Sequence, residues 1–158
     1  GVGLSIDLVA RLRSAYPDVI VGIKDSSGVW TNTTELLKID GLTVYPGAEL
    51  PVIDAIKLGA PGCISATANL NPTDIAAVID LCHEGKWDEA ETLHEKVKKV
   101  RLLFQDYAPI PAQKALMARI TGDEKWHNLR APLQAISAEK ARELETVLTT
   151  DFGFNFDS

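Results

Sequence analysis

Apolar residues Leu8, Val9, Leu12 and Ala15 recur at three- and four-residue spacing behind Ser5, which predicts a capped amphipathic helix that Pro17 ends. A short apolar run at 19–23 then reads as a buried strand, followed by a polar loop from Asp25 to Asn32 and a short helix over 34–38. Asp40-Gly41 marks a turn into a second strand at 42–45. Past Pro46-Gly47 a helix carries Val52, Ile53, Ile56 and Leu58 and stops at Gly59, and the run at 62–66 predicts a third strand.

Strand and helix thus alternate at a period of roughly twenty residues, the pattern of right-handed βα units on a parallel sheet. Beyond Asn71-Pro72, a capping residue followed by proline at the first helical position, the pattern turns wholly helical. One helix runs from Ile75 to Cys82, with His83 in its last turn and Gly85 past its end. Asp88 and Glu91 form an acidic capping box for the stripe Ala90, Leu93, Val97, Val100 and Phe104. Pro109 and Pro111 restart a helix that reaches Gly122, and Ser137 opens a last one through Leu144 and Leu148.

Three βα units can stand as a small open sheet, or as part of an eight-stranded barrel, which takes about 250 residues. Residue choice on the first run favours the barrel. Val19, Val21 and Ile23 share one face, suited to packing under helices, while Ile20, Gly22 and Lys24 share the other. The expected fold is α/β: the last three βα units of a (β/α)8 TIM barrel over residues 1–72, with the final barrel helix and a helical extension over 73–158. The chain begins at Gly1 and leads directly into a helical pattern, which suggests entry part-way through a larger fold.

Composition narrows the function. Sixteen basic residues stand against twenty-two acidic ones, a formal charge of -6, so no field gathers phosphate backbones and a nucleic-acid partner is not expected. Apolar stretches are broken by Gly, Pro or a charge well before the ~20 residues of a membrane span, and no signal-like segment opens the chain, which predicts a cytoplasmic protein without a membrane partner. Cys63 and Cys82 form no CxxC pair, and His83, His94 and His127 lack ligand spacing, so no metal site is expected. Charge patterning reads His94 as a solvated helix position and the cluster Lys96, Lys98, Lys99 and Arg101 as a solvated face.

Lys24 is the residue with the clearest chemical potential. It sits at the carboxyl end of the first strand, facing inward beside the gap left by Gly22, where barrel enzymes carry out their chemistry. Burial disfavours a lysine's cation, and a neutral amine attacks a ketone to give a Schiff base. Spacing alone also admits a surface lysine closing a strand. Asp25, Ser26 and Ser27 fit either a polar pocket rim or caps of the following turn.

Three segments in order add to this reading: Val21-Gly22-Ile23-Lys24-Asp25-Ser26-Ser27-Gly28, Tyr45-Pro46-Gly47-Ala48-Glu49, and Gly59-Ala60-Pro61-Gly62-Cys63-Ile64-Ser65-Ala66-Thr67-Ala68-Asn69. They resemble the Schiff-base strand, the next strand end, and the last strand and loop of the dihydrodipicolinate synthase / N-acetylneuraminate lyase family, class I pyruvate-dependent aldolases on (β/α)8 barrels. Leu129-Arg130-Ala131-Pro132-Leu133 resembles a motif near the family's end. The resemblance implies that Lys24 is catalytic and forms an imine with pyruvate, that the backbone at Gly47 lines the pocket, and that the carbonyl of Ile64 faces the keto acid. A glycine suits that place because its missing Cβ admits a ligand close to the backbone. The implied partners are pyruvate, an aldehyde or keto-acid substrate, the amino-terminal half of the barrel, and further copies in a homo-tetramer; no cofactor is implied. The family's relay tyrosine and carboxylate-holding segments have no counterpart here, and neither Tyr45 nor Tyr107 matches the relay motif.

Two departures concern the substrate. Ala48-Glu49 follows Gly47 where the synthase branch carries an acidic pair, and Ala108-Pro109-Ile110-Pro111 replaces an Asn-Pro-Ile-Pro. Both lean toward a sugar-acid (2-keto-3-deoxy acid) aldolase or dehydratase. A non-catalytic half-barrel used for assembly is the alternative from outside enzymology.

Overall fold

The computed structural model describes residues 3–156, so Gly1, from which the reading of a part-way entry starts, lies outside the described residues. Seven α-helices and two strands are formed among them: α1 (Ile6–Ala15), β1 (Gly22–Asp25), α2 (Trp30–Leu36), β2 (Thr43–Pro46), α3 (Val52–Lys57), α4 (Pro72–His83), α5 (Trp87–Leu103), α6 (Pro109–Thr121) and α7 (Ala138–Phe152), with two 3-10 turns at Thr67–Asn69 and Glu124–His127.

 The chain divides into two compact units, one up to His94 and one from Glu95, with the boundary inside α5.

In the first unit, local signals set the helix ends. The Ser5 hydroxyl accepts from the Leu8 N–H at 3.2 Å and starts α1, as the pattern predicts. β1 and β2 pair in parallel with Gly22 opposite Thr43, Ile23 opposite Val44, Lys24 opposite Tyr45 and Asp25 opposite Pro46. One face of this sheet is covered by α1 and α2. There Val9, Leu36, Leu42 and Val44 form a buried cluster, with Ile6, Ile20, Ile23, Leu37 and Ile39 packed around it. Burying such side chains contributes about 1.5–3 kcal/mol each and holds the two-stranded sheet against its helices.

Two strand expectations need correction. The first strand begins at Gly22 instead of residue 19, because the N–H groups of Val19 and Ile20 both turn back to the Tyr16 carbonyl at 3.1 and 2.9 Å. The alternation read through residue 19 therefore does not hold: Val19 and Val21 are exposed, while Ile20 packs on the core cluster. The run at 62–66 forms no strand and ends in a bend at Ala66, so the described residues contain two βα units with paired strands and a third whose strand is missing. Its backbone tie to β2 is a bond from the Ile64 N–H to the Pro46 carbonyl, at 2.9 Å, short of the repeated bonds that make a ladder.

α4 begins after Asn71, as expected, but the Asn71 side chain makes no cap bond. Its buried Nδ2 has no partner among the described residues, so Pro72 at the first helical position is what starts this helix. In the second unit, Gly122 ends α6 with φ at 66° and the Ser137 hydroxyl caps α7 by accepting from the Lys140 N–H at 3.2 Å. Arg119 Nε meets Glu145 Oε1 at 3.2 Å between α6 and α7, beside a core that includes Ala112, Leu116, Leu144 and Leu148. No helix among the described residues is long and apolar enough to cross a membrane.

Candidate active site

Side-chain alternation on β1 divides its four residues by chemistry. Ile23 and Asp25 face the helices, whereas Gly22 and Lys24 share the other face with Thr43 and Tyr45, their partners in register. That second face is the uncovered one: Gly22, Lys24 and Thr43 are exposed and Tyr45 is half-buried. Lys24 thus occupies the expected face and the expected end of its strand. Its burial does not follow, because no described residue forms a wall opposite it.

Gly47 and Ile64 lie at the same end of the sheet. The Gly47 N–H donates to the Asp25 carbonyl at 2.7 Å, one residue past the last β1–β2 pair. A Cβ at Gly47 would stand 2.8 Å from that oxygen and 3.0 Å from the Ser26 Cα, so the glycine is required by the approach of the β1–α2 loop. Ile64 is bonded through its N–H to Pro46, the last residue of β2, and its side chain is exposed. No backbone N–H among the described residues donates to its carbonyl. The three residues singled out by sequence therefore follow one another across the carboxyl ends of β1 and β2 and the segment bonded beside them.

Asp25 separates its two candidate roles. Its Oδ1 accepts from the Ser27 N–H at 3.0 Å and from Asn32 Nδ2 at 3.1 Å, and its Oδ2 accepts from the Thr33 hydroxyl at 2.6 Å. The carboxylate caps the loop and fastens it to α2. Burial pushes the Asp25 carboxyl up, but the bonds from Thr33, Ser27 and Asn32 outweigh it and hold the group below the usual carboxylate value.

A second polar group has no parallel among the residues chosen from sequence. Glu49, in the loop between β2 and α3, is completely buried. Its Oε2 accepts from the Ser65 hydroxyl, which itself accepts from the Thr67 N–H at 3.3 Å. Its backbone carbonyl meets His94 Nε2 at 2.8 Å. His94 is buried as well, which corrects its reading as a solvated position: the helical pattern marks it polar, and only the tertiary partner Glu49 explains why it turns inward. Cys63 lies in the same neighbourhood, where burial and then the Glu49 charge push its thiol up to about 11. The signal available in the sequence was Glu49 itself, an acidic residue ending the segment Tyr45-Pro46-Gly47-Ala48-Glu49.

Comparison with known proteins places the chain in a family. The Dihydrodipicolinate synthetase family profile matches residues 1–151. A 4-hydroxy-tetrahydrodipicolinate synthase of Methanosphaerula palustris is 36% identical over 154 residues, covering 95% of this chain and 51% of that protein. One from Persephonella marina is 33% identical over 158 residues, covering 97% of this chain and 52% of its own length. Among solved structures, dihydrodipicolinate synthase from Agrobacterium tumefaciens superposes with a TM-score of 0.76 at 34% identity, covering 98% of this chain and 50% of that one. The enzyme from Aquifex aeolicus gives 0.79 at 25% identity, covering 94% and 50%. The chain spans about half the length of the relatives it matches. With a profile match over nearly all its residues, the chain belongs to the Dihydrodipicolinate synthetase family.

Proposed function

We propose that this chain is the lysine-bearing carboxyl-terminal part of a (β/α)8 barrel that forms a Schiff base with pyruvate. In this reading the neutral Lys24 amine adds to the keto carbon, and loss of water gives the imine. Once protonated, the imine draws electrons from the neighbouring methyl group, which loses a proton to become an enamine. The enamine carbon then attacks the carbonyl of an aldehyde or keto acid, or the reverse sequence cleaves such a bond. Gly47 lines the pocket with its backbone and the Ile64 carbonyl faces the keto acid. The activity is that of a dihydrodipicolinate synthase-like lyase or synthase, with no cofactor, in the cytoplasm. It requires the amino-terminal half of the barrel, and the complete barrels assemble as a homo-tetramer.

The observation that carries this reading is the position of Lys24 on the uncovered sheet face, at the strand end it shares with Gly47 and the Ile64 segment. The uncovered face is the surface that would line a barrel interior. The test is borohydride reduction in the presence of pyruvate. It uses the chain alone and the chain complemented with the amino-terminal half of the Methanosphaerula palustris relative. The expected result is a covalent mass gain of one pyruvate, less water, plus two hydrogens, in the complemented protein. Absence of that gain, or its survival in Lys24→Ala, would overturn the imine reading and leave the half-barrel as an assembly module.

A further inference from the structure

The Glu49 carboxylate presents a cost that its packing does not repay. It is 0% exposed, yet one oxygen, Oε1, has no partner among the described residues and the other takes a single side-chain bond, from Ser65. A buried carboxylate so sparsely bonded is unfavourable to the fold by itself, and an apolar residue of similar volume would pack there without that penalty. What the carboxylate does accomplish is local. It fixes the Ser65 hydroxyl, which also receives the Thr67 N–H at 3.3 Å and thereby sets the turn that leads into the 3-10 helix at Thr67–Asn69. Ser65 directly follows Ile64, whose N–H is tied to Pro46 at 2.9 Å. Glu49 is anchored in turn, since its carbonyl accepts from the Val52 N–H at 3.1 Å and meets His94 Nε2 at 2.8 Å.

We propose that Glu49 is a positioning residue: held from behind by His94 and α3, it grips Ser65 and so fixes the peptide at which the Ile64 carbonyl meets the bound keto acid. The run at 62–66 lacks the ladder that would hold a strand, so a side-chain clamp takes over the task that repeated backbone bonds perform between β1 and β2. This proposal rests on the imine reading for its functional half. Its mechanical half stands on the hydrogen bonds alone.

The experiment uses the complemented protein and follows trapping at Lys24 against pyruvate concentration. Glu49→Ala and Ser65→Ala should each raise the half-saturating pyruvate concentration about tenfold, the scale of one charge-assisted hydrogen bond. Maximal trapping at saturation should stay unchanged. Glu49→Gln keeps an acceptor for Ser65 and should return the value to within about threefold of wild type. Glu49→Ala saturating at the wild-type concentration, or Glu49→Gln failing to rescue, would overturn the proposal. General loss of structure would instead lower maximal trapping, and in that case amide exchange of Ile64 in Glu49→Gln and Ser65→Ala decides. Exchange in Ser65→Ala about tenfold faster than in wild type, with Val44 unchanged and Glu49→Gln close to wild type, supports the clamp. Unchanged exchange overturns it. If wild type itself traps no pyruvate, the imine reading and the functional half of this proposal fail together, and the same exchange measurement settles the clamp.

Discussion

Asp25 and Glu49 are both buried acids at the carboxyl end of the sheet, and they differ in how their charges are met. Asp25 receives three hydrogen bonds that hold its carboxyl below the unfolded value of 3.8. A carboxyl depressed by folding adds stability above its unfolded value, and that stability disappears as pH falls through and below it. Asp25→Ala should therefore cost about 2–3 kcal/mol in urea unfolding at pH 7. The difference from wild type should shrink as pH drops below 4, and a difference that stays constant down to pH 2 would count against the capping role. At Cys63 the sign is reversed. With its thiol raised to about 11, alkylation by iodoacetamide at pH 7.5 should run about a hundredfold slower than for an ordinary thiol. Glu49→Gln removes the second cause of that rise and should speed the reaction. Equal rates in both proteins would mean that the Glu49 charge does not reach the sulfur.

At the scale of elements, what the sequence reveals depends on whether its signal is local. Ser5 and Ser137 cap the helices predicted from them because each cap bond spans three residues. The first strand is misjudged at its start because apolar Val19 and Ile20 belong to a turn closing on Tyr16, which alternation cannot distinguish from a strand. The third run has the composition of a strand but one bond to its neighbour, and strand formation depends on what lies alongside. Lys24, Gly47 and Ile64 could be singled out because they lie inside motifs, and the structure brings them to one end of the sheet, whereas the Glu49–His94 contact joins residues 45 positions apart. Close packing between the two strands also has a consequence. A Cβ at Gly22 would stand 2.8 Å from the Thr43 carbonyl, a backbone atom with little freedom to yield. Gly22→Ala should destabilise the chain by about 1–3 kcal/mol, seen as a lower urea midpoint, and an unchanged midpoint would show that β1 and β2 can move apart cheaply.

For the whole molecule, the decisive feature is an incomplete sheet. β1 pairs with β2 on one side and with no other strand among the described residues, Val19 and Val21 are exposed beside it, and the Lys24 face is uncovered. An open edge and an exposed apolar strip favour association. By light scattering at micromolar concentration the chain alone should form higher assemblies, and the complementing half should resolve them into a defined species. A monodisperse monomer in isolation would show that the sheet edge is tolerated without a partner.

The central claim is that the imine forms at Lys24 and at no other amine, and peptide mapping after pyruvate and borohydride treatment of the complemented protein tests it most directly. Lys38 and Lys57, both exposed and ion-paired with Glu35 and Glu91, serve as internal controls on the same chain. The account predicts that the reduced pyruvate adduct sits on the peptide containing Lys24, with the control lysines unmodified. An adduct spread over the surface lysines, or confined to a residue other than Lys24, would contradict it.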